Sequence, residues 1–288
     1  MKTIGVFAPS SYIEKTDIEA AANNARQAGF DVFIHPQTYL RHQQSAGTSA
    51  EKINALYDLY ENEDIDIIWA AGGGNRSLHY IDDINYARIA NHPKPLIGFS
   101  DVTALLNAIT VKTGIKTIHG PVFKNLATAT FDENLKNYLS SGAPFQTMPM
   151  TDCQILNHGV GVGAVFGGNL SIFQYLPQTL NKDFTNGAIL LLEDCNEELS
   201  RIDRMFLHLK RTGALDKVTG LVFGQFTDLA DSARAYGFTL EDIIKEQTSG
   251  LNIPIVMNAS FGHIKNNHPF LIGVKMHLNT EKKIFQLI

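Results

Sequence analysis

Short apolar runs alternate with amphipathic stretches through the first part of this chain, and that alternation restricts its first half to a sheet with crossover helices. The run Thr3 to Ala8 is closed by Pro9, an amphipathic stretch from Thr16 to Ala28 is stopped by Gly29, and Asp31 to His35 reads as a strand. That order is the βαβ rhythm of a parallel sheet. Thr48 and Glu51 form a capping box ahead of a helix that carries Ile53, Leu56, Tyr57 and Tyr60 on one face. Ile65 to Ala71 and Pro95 to Phe99 read as buried strands. Both run into polar or glycine-rich turns, and in an open parallel sheet such turns at the carboxyl ends of strands are where ligands bind.

The chain has 288 residues, and single cores stop growing at roughly 250–300, so two domains are expected. A short helical pattern over Phe131 to Leu139 is followed by Ser140 to Pro144, and the boundary is read there: an N-terminal α/β domain with an open, mostly parallel sheet over residues 1–143, and a mixed α/β domain over 144–288. In the second half, strands are expected at Ala188 to Leu192, Leu221 to Phe226, Ile255 to Met257, Phe270 to Met276 and Lys283 to Leu287, with helices near 201–212 and 240–249.

A content of 44% hydrophobic and 18% charged residues is that of an ordinary soluble globular protein. With a net charge of -5 and no run of Lys or Arg, the chain lacks the clustered positive field that nucleic acid or an anionic membrane requires. No stretch approaches the roughly 20 apolar residues that span a bilayer, and the first run is too short for a signal peptide. A cytoplasmic location is expected. The two cysteines, Cys153 and Cys195, form no CxxC pair, which suits a reducing compartment, and read as structural thiols.

Gly98-Phe99-Ser100-Asp101 stands between an apolar strand and an amphipathic helix whose inward face carries Val102, Leu105, Leu106 and Ile109. Strand, tight turn and helix is the context of a nucleophile elbow, where a serine hydroxyl is exposed above the sheet and the next backbone amide can face a developing oxyanion. The plain alternative is a serine that caps the helix. Gly72-Gly73-Gly74-Asn75 follows a strand and can form an anion pocket from backbone amides, or a simple turn. It fits neither a dinucleotide-binding fingerprint nor a P-loop. Of ten histidines, His263 is singled out because Gly262 precedes it on a loop after the strand Ile255 to Met257, with a lone surface histidine as the plain alternative. Glu193 ends an apolar strand, where a carboxylate has to be paired, and can orient an imidazole as the third member of a triad does. Asp194, Glu197 and Glu198 leave a solvated acidic face as the alternative. Arg201 and Arg204 can receive a substrate carboxylate or pair with those acids. No ligand set with zinc spacing is present, and no metal or organic cofactor is expected.

Taken together these segments resemble the LD-carboxypeptidase family, which includes murein tetrapeptide carboxypeptidases and microcin C immunity peptidases. The resemblance rests on the glycine turn with Asn75, on Gly98 to Asp101, on Gly167-Gly168-Asn169-Leu170-Ser171, on Leu192-Glu193-Asp194 with Arg201 to Arg204, and on Gly262-His263. It implies a serine hydrolase with Ser100 as nucleophile, His263 as general base and Glu193 orienting the histidine. The amides of Gly73 and Asp101 become the oxyanion hole, and Asn75, Asn169, Arg201 and Arg204 become substrate-binding residues. It also implies a homodimer acting in peptidoglycan recycling. Asn75 tilts toward the immunity peptidases, whereas the chain is short for the inserted loops with which those enzymes grip a nucleotide. The expected substrate is therefore an L,D-linked murein peptide, with an aminoacyl or peptidyl nucleotide as the alternative. A rival reading from another class is a non-catalytic two-domain protein that closes on a small ligand.

Overall fold

The computed structural model describes the chain apart from residues 129, 130, 144, 146, 147, 151 and 232 and the side chain of Lys182. It divides into two compact units, residues 1–146 with 269–272 and residues 147–268 with 273–288. The boundary read from the sequence falls at Pro144, which lies outside the described residues.

In the first unit, β1 (Thr3–Phe7), β2 (Asp31–Ile34), β3 (Ile67–Ala70), β4 (Leu96–Gly98) and β5 (Thr117–His119) pair in parallel in the order β5-β4-β3-β1-β2. The crossovers are α1 (Lys15–Gln27), α2 (Ser49–Glu61), α3 (Tyr86–Ala90) and α4 (Thr103–Thr113), with α5 (Glu133–Ser141) after the last strand. The capping box at the start of α2 is formed: Thr48 Oγ1 accepts from the Glu51 amide at 3.3 Å and the Thr48 amide donates to Glu51 Oε2 at 2.7 Å. Helix α4 departs from the amphipathic expectation, because every residue from Thr103 to Thr110 is buried. It is a central helix, and its small residues Thr103, Ala104 and Ala108 give it the room.

The second unit holds β6 (Gln154–Asn157), β7 (Val160–Asn169), β8 (Ile189–Cys195), β9 (Gly220–Thr227) and β10 (Ile255–Met257), with α6 (Leu170–Phe173), α7 (Leu176–Thr179), α8 (Leu199–Arg211) and α9 (Leu240–Gln247). Strands β7 to β10 run parallel and β6 closes antiparallel on β10. The stretch Phe270 to Met276, expected as one strand, is two. Strand β11 (Phe270–Ile272) joins the first unit's sheet antiparallel to β5, while β12 (Lys275–Asn279) pairs with β7 and with β13 (Ile284–Leu287) in the second unit. Gly273, at φ +81°, makes the break.

Strand β7 is ten residues long and was not expected, because its glycines carry low strand propensity. Its glycines are required by close approach. A Cβ on Gly167, which lies at φ +143°, would stand 1.9 Å from the Leu191 carbonyl oxygen of β8. Among the described residues no helix is long and apolar enough to cross a membrane.

Gly167→Ala is expected to destabilise the protein by about 3 kcal/mol or more, through positive-φ strain and a backbone clash that no rotamer relieves. Gly114→Ala, at φ +76° with nothing within 4 Å of the added Cβ, is the comparison and costs about 1 kcal/mol. Chemical denaturation of the two variants checks the difference.

Candidate active site

Ser100 follows β4 at φ +63°, one of seven described non-glycine residues with positive φ. A serine held there costs on the order of 1 kcal/mol or more and persists only when its surroundings over-determine it. Phe99, not Ser100, occupies the cap position of the one-turn helix Ser100–Val102, and no side chain caps it. The capping alternative is therefore set aside. The glycine turn lies against the serine: a Cβ on Gly73 would stand 3.1 Å from Ser100 Cβ and 3.3 Å from its Oγ.

What holds the turn is a buried polar network that sequence reasoning missed. Asp101 had been read only for its backbone amide. Its carboxylate is 3% exposed, accepts from Ser10 Oγ at 2.5 Å and from the Ser77 amide at 3.0 Å, and its carbonyl accepts from Ser77 Oγ at 2.5 Å. Burial raises the Asp101 pKa, against those hydrogen bonds and the charge of Lys52. Lys52, itself 1% exposed on α2, donates to the Ser10 carbonyl at 2.8 Å and to Ser45 Oγ at 2.6 Å. Its pKa falls to about 8, because burial outweighs the attraction of Asp101. The loops after β1, β2 and β3 are thus tied to the residue that follows Ser100. Asn75 is exposed, and its side-chain amide reaches Gln44 Oε1 at 3.5 Å.

In the second unit, Glu193 does not end its strand, since β8 continues to Cys195. The Glu193 side chain is fully buried, and its Oε2 lies 2.7 Å from His263 Nδ1. Gly262 makes this approach possible: it takes φ +119°, and a Cβ there would meet Glu193 Oε2 at 3.0 Å. The His263 pKa rises to about 10. Burial alone would lower it, and hydrogen bonding to Cys195 and Glu193 outweighs burial. Cys195 had been read as a structural thiol. Its position two residues beyond Glu193 on one strand was the available signal, because alternate strand residues share a face.

Asp194 and Glu197 do not form a solvated face: Asp194 is 1% exposed and Glu197 9%. Asp194 accepts from Asn169 Nδ2 at 2.8 Å and from the Ser171 amide at 2.9 Å, and Ser171 Oγ donates to Asn169 Oδ1 at 2.6 Å. Burial lifts the Asp194 pKa to about 7, with the neighbouring Glu193 and Glu197 adding to it. Of the two arginines, Arg201 pairs with Glu197 at 3.2 Å, whereas Arg204 lines a surface groove on α8 with Gln178, His208 and Arg211. Among the described residues no group of three or more His, Cys, Asp or Glu could hold a metal ion.

Comparison with known proteins bears on this geometry. The LD-carboxypeptidase N-terminal domain profile matches residues 4–120, and the LD-carboxypeptidase C-terminal domain profile matches residues 162–278. A murein tetrapeptide carboxypeptidase of Pseudomonas aeruginosa is 26% identical over 281 residues, covering 94% of this chain and 91% of that protein. The microcin C7 self-immunity protein MccF of Escherichia coli is 27% identical over 324 residues, covering 98% and 91%. A solved structure of MccF in complex with glutamyl sulfamoyl guanosine superposes with a TM-score of 0.85 at 23% identity, covering 99% of this chain and 95% of that one, a likeness of fold.

The raised pKa fixes the sign of a pH dependence. The His263–Glu193 pair stabilises the fold fully below the unfolded histidine value near pH 6.5, and that contribution is lost as pH rises through about 10. An NMR titration is expected to place the His263 midpoint above that of an ordinary histidine, and Glu193→Gln is expected to bring it back toward the ordinary range.

Proposed function

The chain belongs to the LD-carboxypeptidase family, and from that membership we propose that it is a serine peptidase that removes a C-terminal D-amino acid from L,D-linked murein peptides. Ser100 is the nucleophile, His263 the general base and Glu193 the residue that orients the imidazole. The observation that carries this reading is the 2.7 Å contact between a fully buried Glu193 and His263 Nδ1. In the neutral ring, an Nδ1–H donated to Glu193 makes Nε2 the proton acceptor.

The steps follow from these roles. His263 takes the Ser100 proton as Oγ attacks the amide carbonyl, and the tetrahedral oxyanion is met by backbone amides near Gly73 and Asp101. The imidazolium then gives its proton to the leaving amine of the D-amino acid, and water hydrolyses the acyl-enzyme with His263 again as base. No step uses a metal. The family resemblance further supports a cytoplasmic homodimer engaged in peptidoglycan recycling.

The likeness to MccF favours a second reading, cleavage of an aminoacyl or peptidyl nucleotide. A nucleotide base needs an aromatic surface to stack on. Trp69 does not offer one, because it is fully buried and its Nε1 donates to the Pro121 carbonyl at 2.8 Å. The aromatic residues near the boundary are occupied with one another: Phe131 stacks on Phe30 at 5.3 Å and meets Trp69 at 5.4 Å, Phe123 is fully buried, and Tyr138 packs on Phe145 at 5.2 Å. These contacts favour the murein peptide.

Ser100→Ala is expected to lower kcat by several orders of magnitude and to abolish labelling by a fluorophosphonate, while a chelator leaves the rate unchanged. Near wild-type cleavage by Ser100→Ala would falsify the mechanism. Measured side by side, kcat/KM is expected to be higher for a murein tetrapeptide ending in D-alanine than for an aminoacyl sulfamoyl adenosine. A tenfold preference for the nucleotide, about 1.4 kcal/mol, would overturn the substrate and leave the triad standing.

A further inference from the structure

The first unit uses one device twice, and in one of the two copies a partner is missing. Arg88 lies over the Tyr57 ring with its guanidinium carbon 3.9 Å from the centroid, and Glu61 takes its edge in a bidentate pair, Nε to Oε1 at 2.6 Å and Nη2 to Oε2 at 2.8 Å. Arg41 lies over the Tyr12 ring at the same 3.9 Å. Among the described residues, no carboxylate closes on the Arg41 edge. Stacking fixes the guanidinium plane and leaves its in-plane N–H donors for a planar anion, and such a preorganised fork loses little entropy on pairing.

The position of this stack gives the anion its identity. Tyr12 donates its amide to the Gln44 carbonyl at 3.0 Å, and the preceding Ser11 amide donates to the Gly73 carbonyl at 3.3 Å. Gly73 is the residue whose added Cβ would lie 3.3 Å from Ser100 Oγ. The backbone that carries Tyr12 therefore runs beside the turn that packs on Ser100, in the loop after β1, and Arg41 follows β2. The chain leaves β1 toward β2 on one side and returns as β3 on the other. That reversal is the switch point at which open α/β sheets bind their ligands. The arginines read from the sequence for this task are placed elsewhere, Arg201 against Glu197 and Arg204 on the groove of α8.

We infer that Arg41, held flat on Tyr12, binds the terminal carboxylate of the peptide substrate and sets the enzyme's preference for a free C-terminus. This rests on the reading of Ser100 as the nucleophile of a carboxypeptidase, so its test separates binding from cleavage. Calorimetry on Ser100→Ala protein compares a tetrapeptide ending in D-alanine with the same peptide ending in a carboxamide. The carboxylate form is expected to bind about 30-fold more tightly, the worth of one charge-assisted bidentate pair. Adding Arg41→Met is expected to erase that preference, Arg41→Lys to restore part of it, and Arg88→Met to leave it unchanged. Arg41 is exposed, and thermal melts check that its variants fold. A preference that survives Arg41→Met, or no preference in the protein that keeps Arg41, overturns the inference. Cleavage is scored on the wild-type enzyme: if it binds through Arg41 and cleaves neither peptide, the peptidase mechanism falls and the carboxylate site stands.

Discussion

A carboxylate with no exposed surface within β8, two residues before its end, is the constraint from which the architecture around His263 follows. An unpaired charge there would cost several kcal/mol, so Glu193 has to be met by a cation or a strong donor. The imidazole of His263 meets it at 2.7 Å. To bring the ring that close, the chain after β10 folds into a braced loop: Ala259 donates to the Phe223 carbonyl, Gln225 to the Phe261 carbonyl, His268 to the Ser260 carbonyl, and the Gly262 amide to Asn267 Oδ1. A precise histidine is therefore a by-product of burying an acid.

The first unit meets a related demand by different means. Among its residues at positive φ is Ser100, and the next residue, Asp101, anchors the turn through a buried carboxylate that gathers donors from Ser10 and Ser77. Lys52 compensates that charge from beneath and also ties down the Ser10 carbonyl and Ser45. The network draws on four connections: Ser10 after β1, Ser45 and Lys52 between β2 and β3, Ser77 after β3 and Asp101 after β4. Such a network, once fully satisfied, rigidifies the turns it joins, whereas losing one member would strand the others in low dielectric. The Arg41–Tyr12 stack belongs to the same set of loops, but faces outward from them.

Much of this was legible in local sequence. The capping box of α2, the helix stop at Gly29, the strands β3 and β4 and the strand–turn–helix around Ser100 all come from patterns within a few residues, where propensity and periodicity act directly. Where sequence reasoning erred, the deciding partner was distant along the chain. Strand β7 looked unlike a strand because its glycines answer to carbonyls of β8 and of the segments before β8 and β9, and the Phe270 to Met276 run looked like one strand because nothing local shows that its two ends pair with different sheets.

Local sequence pattern determined that the chain is an α/β protein and that Ser100 stands between a strand and a helix, whereas Glu193 and His263 were joined to it only through the resemblance to a family. Only the tertiary structure decided that Asp101 works through its carboxylate as well as its amide, that Lys52 and Cys195 belong to these sites, that Arg201 is already paired, and that Arg41 stacks without a carboxylate. The physical reason is one of range. Backbone propensity and capping act over a turn or a strand, whereas burial and the pairing of charges are set by residues tens of positions apart, such as Ser10 and Asp101 or Glu193 and His263, which meet only once the chain has folded.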